Sequence, residues 1–248
     1  MKAIILAAGY ATRLYPLTKN MPKALLKVGN KTILDHILDN VEKIPAVDEI
    51  FIVTNDRFYT HFEDWKEGRE GSLPITVYND GTTSEDNRKG ALGDLKFVID
   101  RAKIADDIIV LAGDNLMDFP LVSFYDFYRQ VDSDCICVKR IPLEDTGRFG
   151  IVVIDEANRI LDFEEKPKNP KSDMGAFAIY IYKNETLKKL EEYLAEGNNP
   201  DAPGNFPAWL CKRQPVYAYE FNGTCFDIGT PEAYSEVQEL YKERVGNA

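Results

Sequence analysis

The strongest constraint on the fold is an alternation, through the first 131 residues, of short apolar runs with segments of helical period. Residues 3–7 form an unbroken apolar run closed by Gly9, the pattern of a strand buried on both faces. Thr32 then caps a segment with Ile33, Leu34, Ile37, Leu38, Val41 and Ile44 on one face. A second strand is expected at 49–54, and Asn55 or Asp56 can cap a helix carrying Phe58, Phe62 and Trp65. A strand at 75–78, a helix at 90–102 and a strand at 108–112 continue the series. Strands of five or six residues joined through helices predict an α/β fold: a Rossmann-like, doubly wound, mainly parallel sheet with right-handed crossovers.

The texture changes after residue 131. Strands are expected at 134–140, 149–154, 159–163 and 176–182, with few helices between them. Helices at about 184–196 and 205–213, a strand at 216–221 and a helix from Pro231 complete the chain. The expectation is a single domain over 1–248, in which 132–248 adds a smaller mixed lobe above the carboxyl edge of the first sheet. No internal repeat is visible, and 197–204 reads as a loop rather than a boundary.

Charge narrows the function classes. With 30 Lys+Arg against 41 Asp+Glu the formal charge is −11, which argues against a nucleic-acid polymer as partner. No apolar run approaches the roughly 18 residues of a membrane span. The apolar opening is cut short by Gly9, Tyr10 and Arg13, so no leader is expected, and the four cysteines form neither a zinc spacing nor a disulfide framework. A cytoplasmic setting follows as the expectation. Yet residues 1–34 hold Lys2, Arg13, Lys19, Lys23, Lys27 and Lys31 with no acid before Asp35. That purely basic stretch surrounds the loop after the first strand.

In an open parallel sheet, ligands bind beyond the carboxyl ends of the strands. There the chain reads Leu6-Ala7-Ala8-Gly9-Tyr10-Ala11-Thr12-Arg13-Leu14, with Lys23 following. Small residues let the backbone approach a ligand and offer its N–H groups to an anion, and Arg13 and Lys23 add two cations. This suits a nucleoside triphosphate. It is neither a dinucleotide fingerprint nor a Walker loop, and an irregular connection with solvated cations is the competing reading. Asp114 ends the fourth strand, where a carboxylate can hold magnesium. Asp227 precedes a helix capped by Thr230 with Pro231 in its first turn. Each aspartate alone reads more readily as a turn residue or cap than as a ligand. In Phe163-Glu164-Glu165-Lys166-Pro167, Lys166 can meet a second anion and Glu165 can accept from hydroxyls; a solvated strand end is the plainer alternative.

The segment from Leu6 to Lys23 resembles the signature of the sugar-1-phosphate nucleotidyltransferases. Gly113-Asp114-Asn115, Gly150, Glu165-Lys166-Pro167 and Asp227 with Gly229-Thr230 recur in that family's order. The resemblance covers almost the whole chain and is nearest to the short thymidylyltransferase-like members. The chain ends before the C-terminal β-helix of larger relatives would begin. The resemblance implies a magnesium-dependent reaction of a nucleoside triphosphate, dTTP or UTP, with a sugar 1-phosphate, giving an NDP-sugar and pyrophosphate. Residues 1–131 would be the nucleotide-binding half and 132–248 the acceptor-binding lobe. It implies that Arg13 holds the departing pyrophosphate, Lys23 the α-phosphate and Lys166 the sugar phosphate. Asp114 and Asp227 would bind Mg2+. Gly150 and Glu165 would face the acceptor. Leu6, Ala7, Ala8, Gly9, Ala11, Thr12 and Gly90, with Asp114, would line the nucleotide site. It also favours a homo-oligomer. Three departures leave alternatives open. Ala11 stands where glycine is frequent. Asn79-Asp80 and Asn87 replace a base-reading glutamine, as in cytidylyltransferases acting on phosphocholine or phosphonates. Phe177-Ala178 replaces a small polar residue and glycine, which leaves open an acceptor other than glucose 1-phosphate. A non-catalytic nucleotide-sugar-binding subunit is the third reading.

Overall fold

The computed structural model describes residues 1–246. In chain order its elements are β1 (Lys2–Leu6), the short strands β2 (Lys27–Val28) and β3 (Lys31–Thr32), α1 (Ile33–Val41), β4 (Glu49–Thr54), α2 (Tyr59–Glu67) and β5 (Ile75–Asn79). There follow α3 (Ala91–Ala102), β6 (Ile108–Ala112), β7 (Asn115–Met117), α4 (Leu121–Val131), β8 (Asp134–Arg140), β9 (Gly150–Ile154) and β10 (Ile160–Glu165). The chain continues through β11 (Met174–Tyr182), α5 (Leu187–Ala195), α6 (Asn205–Leu210), β12 (Val216–Glu220), β13 (Cys225–Asp227) and α7 (Pro231–Gly246).

The sheet begins as the apolar runs require. β1 pairs in parallel with β4 on one side and β6 on the other, and β5 extends it in parallel beyond β4. Each of these strands is covered on both faces. In β1, Ala3 and Ile5 join one core cluster while Ile4 joins the other; in β6, Ile109 and Leu111 alternate with Ile108 and Val110 in the same way. Helices α1, α2 and α4 contribute to the first cluster, and α3, α5 and α6 to the second. The result is a three-layer α/β fold whose parallel core is Rossmann-like.

The second half joins this sheet instead of standing apart from it. β11 lies antiparallel against β6, β8 antiparallel against β11, and β12 parallel to β8. The leading part of β11 also pairs with β9, which pairs with β10, both antiparallel. The mixed lobe is thus a continuation of the sheet past the end of β6. Two small ribbons, β2–β3 and β7–β13, have no counterpart in the expectation from sequence, because strands of two or three residues carry no readable period.

Local chemistry sets the element ends. The Thr32 hydroxyl accepts from the Asp35 N–H, and the Asp35 carboxylate accepts from the Thr32 N–H, a reciprocal cap on α1. Asn55 Oδ1 accepts from the Phe58 N–H at 3.1 Å and turns the chain, so the helix proper starts at Tyr59. The helix expected at 184–196 opens as a 3₁₀ turn, Asn184–Thr186, before α5. Asp134 is the cause: buried in β8, it accepts from the Lys183 N–H at 2.8 Å, the Thr186 hydroxyl at 2.9 Å and the Gln214 amide. Burial still dominates those bonds and pushes the Asp134 carboxyl up to about 6. The four cysteines are free, and burial pushes the Cys135, Cys137 and Cys225 thiols up, away from thiolate chemistry. No described helix is long and apolar enough to cross a membrane. Asp134→Ala strands three donors that now share one acceptor. A loss of about 3 kcal/mol is expected in urea unfolding, with an unchanged m-value.

Candidate functional site

The loop after β1 is held by its carbonyls. Those of Ala7, Ala8 and Ala11 accept from Thr54 Oγ1, Asn55 Nδ2 and Thr18 Oγ1 at 3.3, 2.9 and 2.7 Å. In a trans peptide the N–H points opposite to the carbonyl, so the N–H groups of Ala8, Gly9 and Thr12 are turned away from those donors. Leu6, Ala7, Gly9, Ala11, Thr12, Arg13 and Lys23 all line one cleft of about 310 Å3, and Ala8 lines the adjoining branch. Ala11 adopts φ 47°, a left-handed conformation that disfavours a side chain. Of the six cations in residues 1–34, only Arg13 and Lys23 reach this cleft. Lys2 sits at the opposite end of β1, bound to Asp48 and Glu49, and Lys31 binds Asp39.

The two distant aspartates meet through the β7–β13 ribbon. Asp114 follows β6, and Asn115 begins β7; in the ribbon Asp227 is the register partner of Asn115. Lys23 Nζ lies 2.7 Å from Asp114 Oδ2 and 3.5 Å from Asp227 Oδ1. Among the described residues no three His, Cys, Asp or Glu side chains converge as a self-contained metal site. Two half-exposed carboxylates already sharing one cation fit a hard divalent ion that takes its other ligands from phosphate and water. The Thr230 hydroxyl accepts from the Ala233 N–H at 3.2 Å and caps α7 just beyond this point.

The opposite wall comes from β9, β10 and β11. Glu165 is the register partner of Gly150, and a Cβ on Gly150 would stand 2.9 Å from Glu165 Oε2. A Cβ on Gly204 would meet the same oxygen. Burial raises the Glu165 carboxyl's pKa, and Lys166 draws it partly back. Lys166 itself is left-handed at φ 47°, anchored by its N–H to the Phe149 carbonyl at 3.1 Å. Phe149, Phe163, Phe177 and Tyr180 help line this branch of about 270 Å3, so aromatic side chains of β11 also form its floor.

Gly90 lines the middle branch, of about 480 Å3, with Asp114, Glu165 and Lys166. It has φ 78°, and any Cβ would lie 2.7 Å from the Pro200 carbonyl; Pro200 and Asp201 accept from the Leu92 and Ala91 N–H groups. The 197–204 loop therefore covers the start of α3, and Arg88 pairs with Asp201 at 2.9 Å across the junction. Arg88, Arg148, Asp94 and Asp201 line the cleft but were not singled out from sequence, because loop arginines and a helix-start aspartate carry no motif of their own. Neither histidine lies there: His36 Nε2 is 2.9 Å from the Val28 carbonyl oxygen, and His61 packs on Phe58.

Fold and site together define an α/β protein with a cleft of paired cations and carboxylates at the carboxyl ends of the strands. The chain belongs to the nucleotidyl transferase family, whose family model matches residues 2–244. It is 32% identical to a glucose-1-phosphate adenylyltransferase of Clostridium novyi (strain NT), over 94% of this chain and 64% of that protein. The chain spans less than two thirds of the length of the curated relatives it matches. A Bacillus anthracis structure, provisionally named a glucose-1-phosphate thymidylyltransferase and solved with a sucrose, superposes with TM-score 0.82 at 26% identity over 98% of this chain and 96% of that one. A UDP-glucose pyrophosphorylase complexed with UDP-glucose superposes with TM-score 0.84, covering 98% of both chains; at 20% identity it speaks for the fold.

One acid in the cleft has an unusual charge state. Asp94 is only 6% exposed, its Oδ1 has no hydrogen-bond partner, and burial followed by repulsion from Asp80 pushes its carboxyl up to about 8. Asp80 is itself engaged by the Thr82 N–H and hydroxyl. The native chain keeps the Asp94 proton up to about pH 8, whereas the unfolded chain releases it near the ordinary 3.8. Between those values the native state binds more protons, so this group makes stability fall as pH rises and level off above pH 8. Asp94→Asn removes that contribution. The Tm of the variant minus that of the wild type is expected to widen from about pH 5 to about pH 8 and then stay constant; a pH-independent gap contradicts it.

Proposed function

We propose that the chain transfers a nucleotidyl group from a nucleoside triphosphate to a sugar 1-phosphate and releases pyrophosphate. The observation that carries this reading is Lys23 bridging Asp114 and Asp227, with Arg13 and Lys166 on the walls of the same cleft. The described lining holds no Ser, Cys or His to carry a covalent intermediate. None is needed. A phosphate monoester is largely a dianion at neutral pH, and its oxygen can attack without a general base. An acceptor oxygen bonds to the α-phosphorus as the bond to the bridging oxygen breaks, and pyrophosphate leaves with that electron pair.

The protein's contribution is alignment and charge neutralisation. Arg13 is read as holding the departing pyrophosphate, Lys23 the α-phosphate and Lys166 the acceptor's phosphate. Glu165 accepts from acceptor hydroxyls beside Gly150, and the backbone at Ala8, Gly9 and Gly90 borders the nucleoside. Asp114 and Asp227 would hold a divalent cation, magnesium, which when bound offsets triphosphate charge and polarises a phosphoryl oxygen. For the donor we favour dTTP or UTP, supported by the 26%-identical structure with the thymidylyltransferase name; the adenylyl name of the Clostridium relative sets the competing outcome.

The test is pyrophosphate release across dTTP, UTP, ATP, GTP and CTP, each with glucose 1-phosphate, mannose 1-phosphate and phosphocholine. Release confined to CTP with phosphocholine selects a cytidylyltransferase; tight binding without release selects a non-catalytic subunit. Release with no pair refutes enzymatic transfer. Asp114→Ala and Asp227→Ala are each expected to lower kcat/KM by at least about 100-fold with little change in Tm, and a chelator to abolish turnover reversibly.

A further inference from the structure

We infer that Arg148 is a second cationic contact for the phosphate of the acceptor, acting beside Lys166; this rests on the proposed reading of the cleft as a nucleotidyl-transfer site. Arg148 ends the 3₁₀ segment Leu143–Arg148 that joins β8 to β9. That segment is held in place by buried Thr146, whose hydroxyl donates to the Leu143 carbonyl at 2.7 Å. The next residue, Phe149, accepts from the Lys166 N–H at 3.1 Å. Arg148 and Lys166 therefore spring from adjoining points on neighbouring backbone segments.

Their position is distinctive. The branch floored by Phe177 and Glu165 meets an outer branch of about 530 Å3 at the start of α7. Four residues line both branches: Arg13, Arg148, Lys166 and Asp227. The junction is where an acceptor seated against Glu165 would bring its phosphate towards the Asp114–Lys23–Asp227 group. In its present pose Arg148 has a 62% exposed side chain and an exposed ion pair with Asp145 at 3.3 Å. Such a pair is weak enough to yield to a phosphate.

Charge supports the assignment. The named side chains Arg13, Lys23 and Lys166 are matched one for one by Asp114, Asp227 and Glu165, so by themselves they leave the site without net charge. Into it come a triphosphate and a phosphate monoester of about −1.5 to −2. Two anions must reach bonding distance, and a lysine supplies one point charge. A guanidinium adds a planar fork that meets two phosphate oxygens at once.

The experiment compares wild type, Arg148→Ala, Arg148→Lys and Asp145→Ala by steady-state kinetics and by calorimetric titration with glucose 1-phosphate. Arg148→Ala is expected to weaken glucose 1-phosphate binding and raise its KM by about tenfold or more, with the triphosphate KM within about twofold. Arg148→Lys should recover part of the loss. Asp145→Ala, which breaks only the ion pair, should leave both constants unchanged. An unaltered acceptor affinity in Arg148→Ala, or a rise in the triphosphate KM instead, overturns the assignment while wild-type turnover keeps the reading of the site. Wild type that binds glucose 1-phosphate but releases no pyrophosphate with any triphosphate and acceptor of the panel refutes that reading, and Arg148 is then judged by the titration. No binding of any acceptor phosphate of the panel by wild type overturns both.

Discussion

The site depends on one small interaction, the pairing of β7 with β13. These three-residue strands carry Asp227 from near the end of the described chain to the residue next to Asp114. Two carboxylates brought together repel, and Lys23, reaching in from the loop after β1, relieves that repulsion. Three segments remote in sequence are thereby tied at one point over the sheet edge. The wall built from β9, β10 and β11 is then positioned relative to it through β11, which pairs with β6 and β9 alike.

What sequence could disclose divides by physical range. The parallel core was legible because β1, β4 and β6 are covered on both faces, which writes an unbroken apolar run; the reciprocal cap at Thr32 and Asp35 was legible because it is local. The meeting of Asp114 with Asp227 was legible only through the resemblance. It rests on a ribbon too short to have a period, and Asp227 alone looks like any residue before a helix. Gly150 was flagged only through family resemblance. Its physical cause, the Phe163 ring and the Glu165 carboxylate that would crowd a Cβ there, lies on another strand. Gly90 likewise owes its identity partly to the Pro200 carbonyl from the other half of the chain.

The charge pattern was half readable. The acid-free stretch of residues 1–34 pointed to the loop that lines the cleft, but a linear count cannot tell that Lys2 lies at the far end of its strand, neutralised by Asp48 and Glu49. It also overlooks Arg88 and Arg148, which reach the cleft from loops where arginine is ordinarily a solvated residue.

The antiparallel docking of β11 on β6 has a consequence for modularity. The strands before residue 131 form a nucleotide-binding pattern that looks self-sufficient on paper, yet β6 is an interior strand only because β11 covers its open side. A fragment ending at α4 would expose β6 as a bare, apolar, hydrogen-bond-hungry edge, the kind that pairs with itself or with other chains. The two halves share one sheet, so neither closes its own edge. Fragments cut between α4 and β8 would find each other, if at all, by strand complementation, and the cleft would reappear only with the reassembled sheet.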